Sequence, residues 1–474
     1  MKLKIIPIIS VLVLLPVFGM GAQLGTRQRT IRPVALPTNT PVIFPSAVSN
    51  YAVYGYSSWQ WGPGEDAGRK FDLMPDGYTG ATNAARLFIF LSISDAHITD
   101  KESPCQSIYF SYQGTNGSES ACYSPVMLYT TQVLDAAIRT ANAVNRLLPF
   151  DFAISLGDDA NGPQYNELRW YIDVMDGQYI TPSSGAHVGA TNIDYQESFQ
   201  AAGLDPAIPW YAVLGNHDHL WMGGLPVVAS QEYFTNTDVL LLGDNLLGYN
   251  YMGTIDGSTP YGDVIDVGSV TNFIVGGVTN TPEVVADTNR YSLTISNWMC
   301  EFFNTSSKPV GHGFNLANIT NSFACYSFEP KTNMPLKVIV LDDTMSIQDY
   351  EIGEQATLDT NRFNWLTNEL QLGQDQNQLM IIATHEPLEV IETNSPVSLT
   401  NVLAALHTYP NLLLWICGHT HQNNITPQPS PDPDHPVWVQ LNSETRFLGK
   451  WLTHLVSGFG GRRSGPGSEA RFPQ

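Results

Sequence analysis

A carboxylate and an imidazole stand two residues apart in Asp95-Ala96-His97, and two imidazoles stand two apart in Gly418-His419-Thr420-His421. Between them in the chain come Gly157-Asp158-Asp159, Gly215-Asn216-His217-Asp218 and His385-Glu386-Pro387. An Asp and a His two apart at a strand end project to the same side and can chelate one cation through O and N. Asp158 adds a carboxylate able to bridge two cations, and Asn216 adds a neutral amide oxygen. The donor set Asp95, His97, Asp158, Asn216, His385, His419 and His421 mixes hard oxygens with imidazoles and contains no thiolate. It suits Zn, Mn or Fe rather than copper or an iron–sulfur cluster. Such a set exceeds what one tetrahedral zinc takes and fits two divalent metal ions. A pair of ions roughly 3.5–4 Å apart clamps a phosphoryl group and activates water.

These clusters need elements to carry them. Each follows a short apolar run: residues 87–94 lead to Asp95, 152–156 to Gly157, 210–214 to Gly215, 379–384 to His385 and 412–417 to Gly418. A further run, 336–341, leads to Asp342-Asp343, which we read as solvated loop carboxylates. Residues 126–148 have helical periodicity. Buried strands alternating with helical stretches predict an α/β layered domain, and in open α/β sheets ligands bind at the C-terminal ends of the strands. Residues 219–335 interrupt the alternation with Gly-, Asn- and Thr-rich sequence, read as an insertion that covers the site and shapes substrate choice. Residues 23–85 read as an irregular N-terminal wrap, residues 86–445 as the catalytic domain, and residues 446–474 as a disordered tail.

Taken in order, the five clusters resemble the signature blocks of the calcineurin-like metallophosphoesterases, over roughly residues 86–423. The resemblance implies a four-layer α/β/β/α sandwich with a large insertion. It implies hydrolysis of a phosphomono- or phosphodiester at a dinuclear metal centre, with a metal-bridged hydroxide as nucleophile. Asp95, His97 and His421 are implied as ligands of one metal, Asn216, His385 and His419 as ligands of the other, and Asp158 as the bridge. His217 is implied to bind the phosphate and protonate the leaving alkoxide, with Asp218 orienting it. An imidazole, which titrates near neutral pH, suits that work. Purple acid phosphatases carry a Tyr three residues after the bridging Asp; here that position is Asn161, so a tyrosinate-bound ferric centre is not expected. Asn161-Gly162 instead resembles the loop of phosphodiesterase-type members, whose side chain helps hold the site.

Asn161 and His312, the latter between Gly311 and Gly313, are candidate substrate contacts, with Arg290 and His219 as weaker phosphate candidates. Asp159 is expected only to cap or hydrogen-bond its loop. The competing reading is an exported metal- or ligand-binding protein that keeps the fold without turnover; the intact donor set argues against it. A metal-dependent amidase or lactonase would carry a His-x-His-x-Asp-His cluster, which is absent.

The chain has 22 Lys+Arg against 44 Asp+Glu, a net charge of −22. An acidic surface repels polyanions, so no nucleic acid partner is expected, whereas a small phosphoester can still enter a site dominated by metal charge. Residues 1–22 read as an export signal: Lys2 and Lys4, an apolar run over 5–18, then small residues up to Ala22. That run is short for a membrane span, which needs roughly 20 apolar residues, so a secreted or periplasmic protein is expected. Five cysteines fit an oxidising compartment. Local pairing of Cys105 with Cys122 and of Cys300 with Cys325 is one of three connectivities, and Cys417 reads as a small buried hydrophobe. Asn116, Asn304, Asn318 and Asn424 lie in glycosylation sequons.

Overall fold

The structure is a computed structural model that describes residues 28–35, 37, 58–64, 86–100, 129–182, 197–221, 223, 225–226, 239–242, 251–254, 288–332, 334–344, 356–391, 395–421, 424–428, 438–442, 445–446 and 450–451. The signal segment 1–22, most of the wrap, Cys105, Cys122, Asn116 and the tail beyond 451 lie outside the described residues.

Every apolar run contains a strand. β1 (Phe90–Ile93), β2 (Phe152–Ser155) and β3 (Trp210–Ala212) form a three-stranded parallel sheet in that order. The helices α1 (Thr130–Leu147) and α2 (Tyr165–Met175) share its core through Leu134, Ile138, Leu168 and Ile172. Next come α3 (Ile295–Glu301) and α4 (Leu316–Asn321), then the edge strand β4 (Tyr326–Phe328). Trp298, Met299, Phe302, Phe314 and Tyr326 belong to the same core. Part of the stretch expected as an insertion, from Leu293 to Tyr326, therefore supplies core.

The second sheet has six strands in the order β4-β5-β6-β7-β9-β8, with β5 (Leu336–Val340), β6 (Leu379–Ala383), β7 (Leu412–Cys417), β8 (Asn424–Gln428) and β9 (Trp438–Asn442). The inner four run parallel, and β4 and β8 close the edges antiparallel. Pro427 sits on edge strand β8, where a residue without an N–H is tolerated. Alternate residues of the inner strands enter different cores. Val338, Val340, Ile381, Ala383, Leu414 and Ile416 join the core of the three-stranded sheet. Ile339, Met380, Ile382, Trp415 and Cys417 join a second core with Leu366 and Leu370 of α5 (Thr360–Asp375) and Val402 and Leu406 of α6 (Leu399–Leu406). Strands covered on both faces must be apolar throughout, which is why they read as continuous runs. Rings tie the two sheets together: Tyr211 stacks on Phe328 at 3.5 Å and Phe152 meets it edge-on at 5.7 Å. The fold is mixed α/β with several sheets and helices.

Two cysteine expectations resolve differently. Cys300 and Cys325 are not paired: Cys300 is exposed on α3, and Cys325 is buried, its Sγ accepting from the Asp342 N–H at 3.3 Å. Burial pushes the Cys325 thiol far above its usual range. Cys417 is buried as a small hydrophobe. Asn304 and Asn424 are exposed, whereas Asn318 is buried, with Nδ2 donating to the carbonyls of Phe323 and Cys325 at 2.8 Å. Its amide is already committed. No helix among the described residues is long and apolar enough to cross a membrane.

Candidate metal centre

The polar clusters lie just past the C-terminal ends of β1, β2, β3, β6 and β7, where the backbone turns sharply. Asp95, His97, Asp158, His419 and His421 all have left-handed φ, between 43° and 70°. Each such residue costs roughly 1–2 kcal/mol, and strain of this kind collects at functional sites. Close approach is also required. A Cβ on Gly215 would overlap the backbone nitrogen and Oδ1 of Asp158. Gly215→Ala is therefore expected to cost about 3 kcal/mol or more and to displace Asp158, read as a lowered urea midpoint together with lowered metal content.

The side chains converge. His97 Nε2 lies 3.2 Å from His421 Nε2, which lies 3.3 Å from Asp95 Oδ1. Asp158 Oδ2 lies 3.5 Å from His97 Nε2 and 3.2 Å from His385 Nε2. Asp95, His97 and His421 form one group whose donor atoms lie within 4.8 Å of one another, and Asp95, Asp158 and His385 form another. His419 completes the cluster, its ring 5.3 Å from that of His385.

Two local features fit metal ions. His385 Nδ1 donates to the Leu156 carbonyl at 2.8 Å, so its Nε2 is left as the ligand atom. Asn216 Nδ2 donates to the Gly223 carbonyl at 3.0 Å, while its buried Oδ1 has no hydrogen-bond partner. A buried oxygen left without a partner among the described residues costs roughly 1–3 kcal/mol, and a cation there would offset that cost.

Burial alone would raise the Asp158 carboxyl, but His385, His217 and His97 outweigh it and hold the group well below the usual range. Asp95 is also held down, against burial, chiefly by His421 and then His385. Burial opposes charge on His385, yet Asp158 raises its pKa well above the ordinary value. Burial and neighbouring imidazoles push His97 down to about 3 and His419 down to about 4, so both stay neutral, as metal-ligating imidazoles must.

His217 lies against this cluster, its ring 4.6 Å from that of His97. Its expected partner is a correction. Asp218 does not hydrogen-bond the imidazole; its carboxylate accepts from the backbone N–H groups of Gly215 at 2.8 Å, Asp158 at 3.0 Å and Ala160 at 3.2 Å. Those amides, gathered from two strand-end loops, occupy both of its oxygens. His217 Nδ1 instead donates to the backbone carbonyl of Asn161 at 2.8 Å. Asn161 thus holds the site through its main chain as well as its position. Asp159 accepts from Ser155 Oγ, and burial leads the effects that push it up to about 7.

Other candidates lie elsewhere. Asp342 and Asp343 are buried, not solvated. Asp342 pairs with Arg362 at 2.8 Å, and Asp343 accepts from the Glu386 N–H at 3.3 Å. Asp359, which caps α5 by accepting from the Arg362 N–H at 2.7 Å, places that guanidinium. Arg290 is fully buried and pairs with Asp100 at 2.8 Å. His219 Nε2 meets Thr344 Oγ1 at 2.9 Å. Glu167, unmarked in the sequence, accepts from the N–H groups of Asp100 at 2.6 Å and Gly162 at 2.9 Å. An acid in a first helical turn ordinarily reads as a dipole partner, so nothing in the sequence singles it out.

His312, expected at the substrate, is instead a core residue. It stacks on Trp210 at 3.5 Å and donates from Nδ1 to the Trp210 carbonyl at 2.8 Å, with Nε2 3.1 Å from Thr305 Oγ1. Burial pushes its pKa down from 6.5 to about 4. The unfolded chain therefore binds a proton that the folded chain refuses between these values, and the stability His312 contributes is lost as pH falls from 6.5 towards 4. Replacing it by Gln is expected to flatten that loss by up to roughly 3 kcal/mol, measured from urea midpoints across the window.

No protein-family model matches the chain, and no curated protein matches it. Among solved structures it is similar to a dimetal phosphatase from Danio rerio, at 12% identity over 76% of this chain and 88% of that one, with a TM-score of 0.37. At that identity and TM-score the likeness carries no inference about activity, and the geometry of the Asp/Asn/His cluster stands on its own.

Proposed function

We propose that this protein is a metal-dependent phosphoester hydrolase. The observation that carries the reading is the position of Asp158 Oδ2, between His97 Nε2 at 3.5 Å and His385 Nε2 at 3.2 Å, within a buried cluster of left-handed ligands. Asp95, His97 and His421 would hold one divalent ion, Asn216, His385 and His419 the other, and Asp158 would touch both. When bound, two such ions supply positive charge for the phosphoryl oxygens and a nucleophile at neutral pH. Zn, Mn and Fe all suit the donors.

His217 acts on the leaving group. With Nδ1 donating to the Asn161 carbonyl, Nε2 is the atom that carries the transferable proton. It passes that proton to the departing alkoxide, which is otherwise too basic to leave. The alternating cores on the two faces of the six-stranded sheet support a four-layer α/β/β/α order. The signal-like segment 1–22 supports a secreted or periplasmic location, and the net charge of −22 argues against a nucleic acid partner.

The test is hydrolysis by purified full-length protein loaded with Mn or Zn, using p-nitrophenyl phosphate, bis-p-nitrophenyl phosphate and a panel of natural mono- and diesters. Turnover that vanishes with chelator and returns with metal is the expected result. Metal-loaded protein that hydrolyses none of them overturns the reading.

A further inference from the structure

The peptide group joining Asn161 to Gly162 is hydrogen-bonded at both ends. Its carbonyl accepts from His217 Nδ1 at 2.8 Å, and its N–H donates to Glu167 Oε2 at 2.9 Å. Glu167 has no solvent exposure. Its other oxygen accepts from the Asp100 N–H at 2.6 Å, so the carboxylate is aimed rather than free to rotate. Asp100 is in turn held by Arg290 Nε and Asn166 Nδ2, each at 2.8 Å.

A peptide group transmits polarisation. Its C–N bond has partial double-bond character, so a carboxylate on the N–H shifts electron density towards the carbonyl oxygen. A carbonyl so loaded accepts a stronger hydrogen bond, and chains of this kind reinforce one another by roughly 10–30% per bond. His217 therefore has a carboxylate behind it although no carboxylate touches its Nδ1.

We propose that Glu167 is a positioning residue for His217, acting through the Asn161–Gly162 peptide. The line runs from the Glu167 carboxylate through one peptide unit to the imidazole. It takes the place that Asp218, committed to backbone amides of Gly215, Asp158 and Ala160, does not fill. It holds Nδ1 as the N–H and the ring in one orientation, so that Nε2 faces the ligand cluster. The inference rests on the phosphoesterase reading for its catalytic meaning, but the hydrogen-bond relay exists independently of turnover.

The test has two readouts on full-length zinc-loaded protein. In Glu167→Gln, the nitrogen-15 histidine NMR signal of His217 Nδ1–H, assigned by its loss in His217→Asn, is expected upfield and in faster exchange with solvent. In the same variant, hydrolysis of esters with poor alkoxide leaving groups is expected to fall about tenfold while p-nitrophenyl esters change by about twofold or less, because only the former need the acid. Metal content is expected to stay unchanged. Asp100→Asn, which perturbs the same buried cluster without touching the Gly162 peptide, is expected to lower thermal stability without altering leaving-group dependence. Should Glu167→Gln not fold, Glu167→Asp, which shortens the reach, gives the same comparison at smaller amplitude. Equal losses across all leaving groups, or an unmoved Nδ1–H signal, would assign Glu167 to bracing the two loops and overturn the proposal. Wild-type protein that hydrolyses no ester sinks the phosphoesterase reading alone, and the NMR comparison still decides the relay.

Discussion

Asp158→Asn is expected to abolish metal retention at the centre and to lower phosphoester hydrolysis by about 10³-fold or more, equivalent to about 4 kcal/mol of transition-state stabilisation. The substitution is nearly isosteric. Oδ1 accepts from the His217 backbone N–H at 2.9 Å, and an amide oxygen keeps that bond. Oδ2 becomes an NH₂ group, which presents hydrogens where His97 Nε2 and His385 Nε2 approach at 3.5 and 3.2 Å. An amide nitrogen there neither ligates nor carries charge. The backbone of Asp158 remains tied to Asp218 at 3.0 Å, so the fold should survive. Elemental analysis after gel filtration, alongside turnover, measures both parts. A variant that keeps two ions per chain and wild-type turnover would remove Asp158 from the centre.

His217→Asn is expected to separate binding from proton transfer. The Asn amide can still donate to the Asn161 carbonyl, so the loop retains its anchor. What disappears is the proposed proton donor. Hydrolysis of alkyl phosphoesters should drop by roughly 10²–10⁴-fold, whereas p-nitrophenyl esters, whose phenolate leaves without help, should fall far less. Metal content should not change if His217 is not a ligand, although one of its ring nitrogens lies within 4.8 Å of the donor atoms of His97 and Asp158. The backbone N–H that it donates to Asp158 Oδ1 is kept in the variant. A uniform loss across leaving groups, or loss of metal, would reassign His217 to a ligand or a packing role.

Much of this candidate centre is legible in the chain because each polar cluster directly follows an apolar run. Leu412–Cys417 forms its strand over the whole of the expected run, and β1, β2, β3, β5 and β6 lie inside theirs. A fully buried strand must be apolar on both faces and must end where polar residues begin, so sequence and boundary coincide. Partner choice within the cluster is not legible in that way. Asp218 follows His217 in the chain, yet its carboxylate is taken by the amides of Asp158 and Ala160, 60 and 58 residues away. Asp342 reads as a loop acid until Arg362, 20 residues on, is brought to it by the start of α5. His312 looks like a flexible polar residue between glycines, but Trp210 stacks on it from another strand. Cys300 and Cys325 flank a polar stretch, but Cys300 is exposed on α3 and Cys325 is buried just before β4. The common cause is that long-range contacts decide which polar groups are already satisfied, and local sequence does not carry that information.

The left-handed residues of the candidate centre bear on the cost of folding. Asp95, His97, Asp158, His419 and His421 together store roughly 5–10 kcal/mol of backbone strain, comparable with the net stability of a whole domain. The two apolar cores hold that strain, since the ligand loops are anchored by backbone bonds such as Asp95 N–H to the Gly157 carbonyl at 2.9 Å and His97 N–H to the Asp158 carbonyl at 2.9 Å. The cost of that strained backbone therefore falls on folding, and the packing around the loops sets the spacing of the candidate ligands.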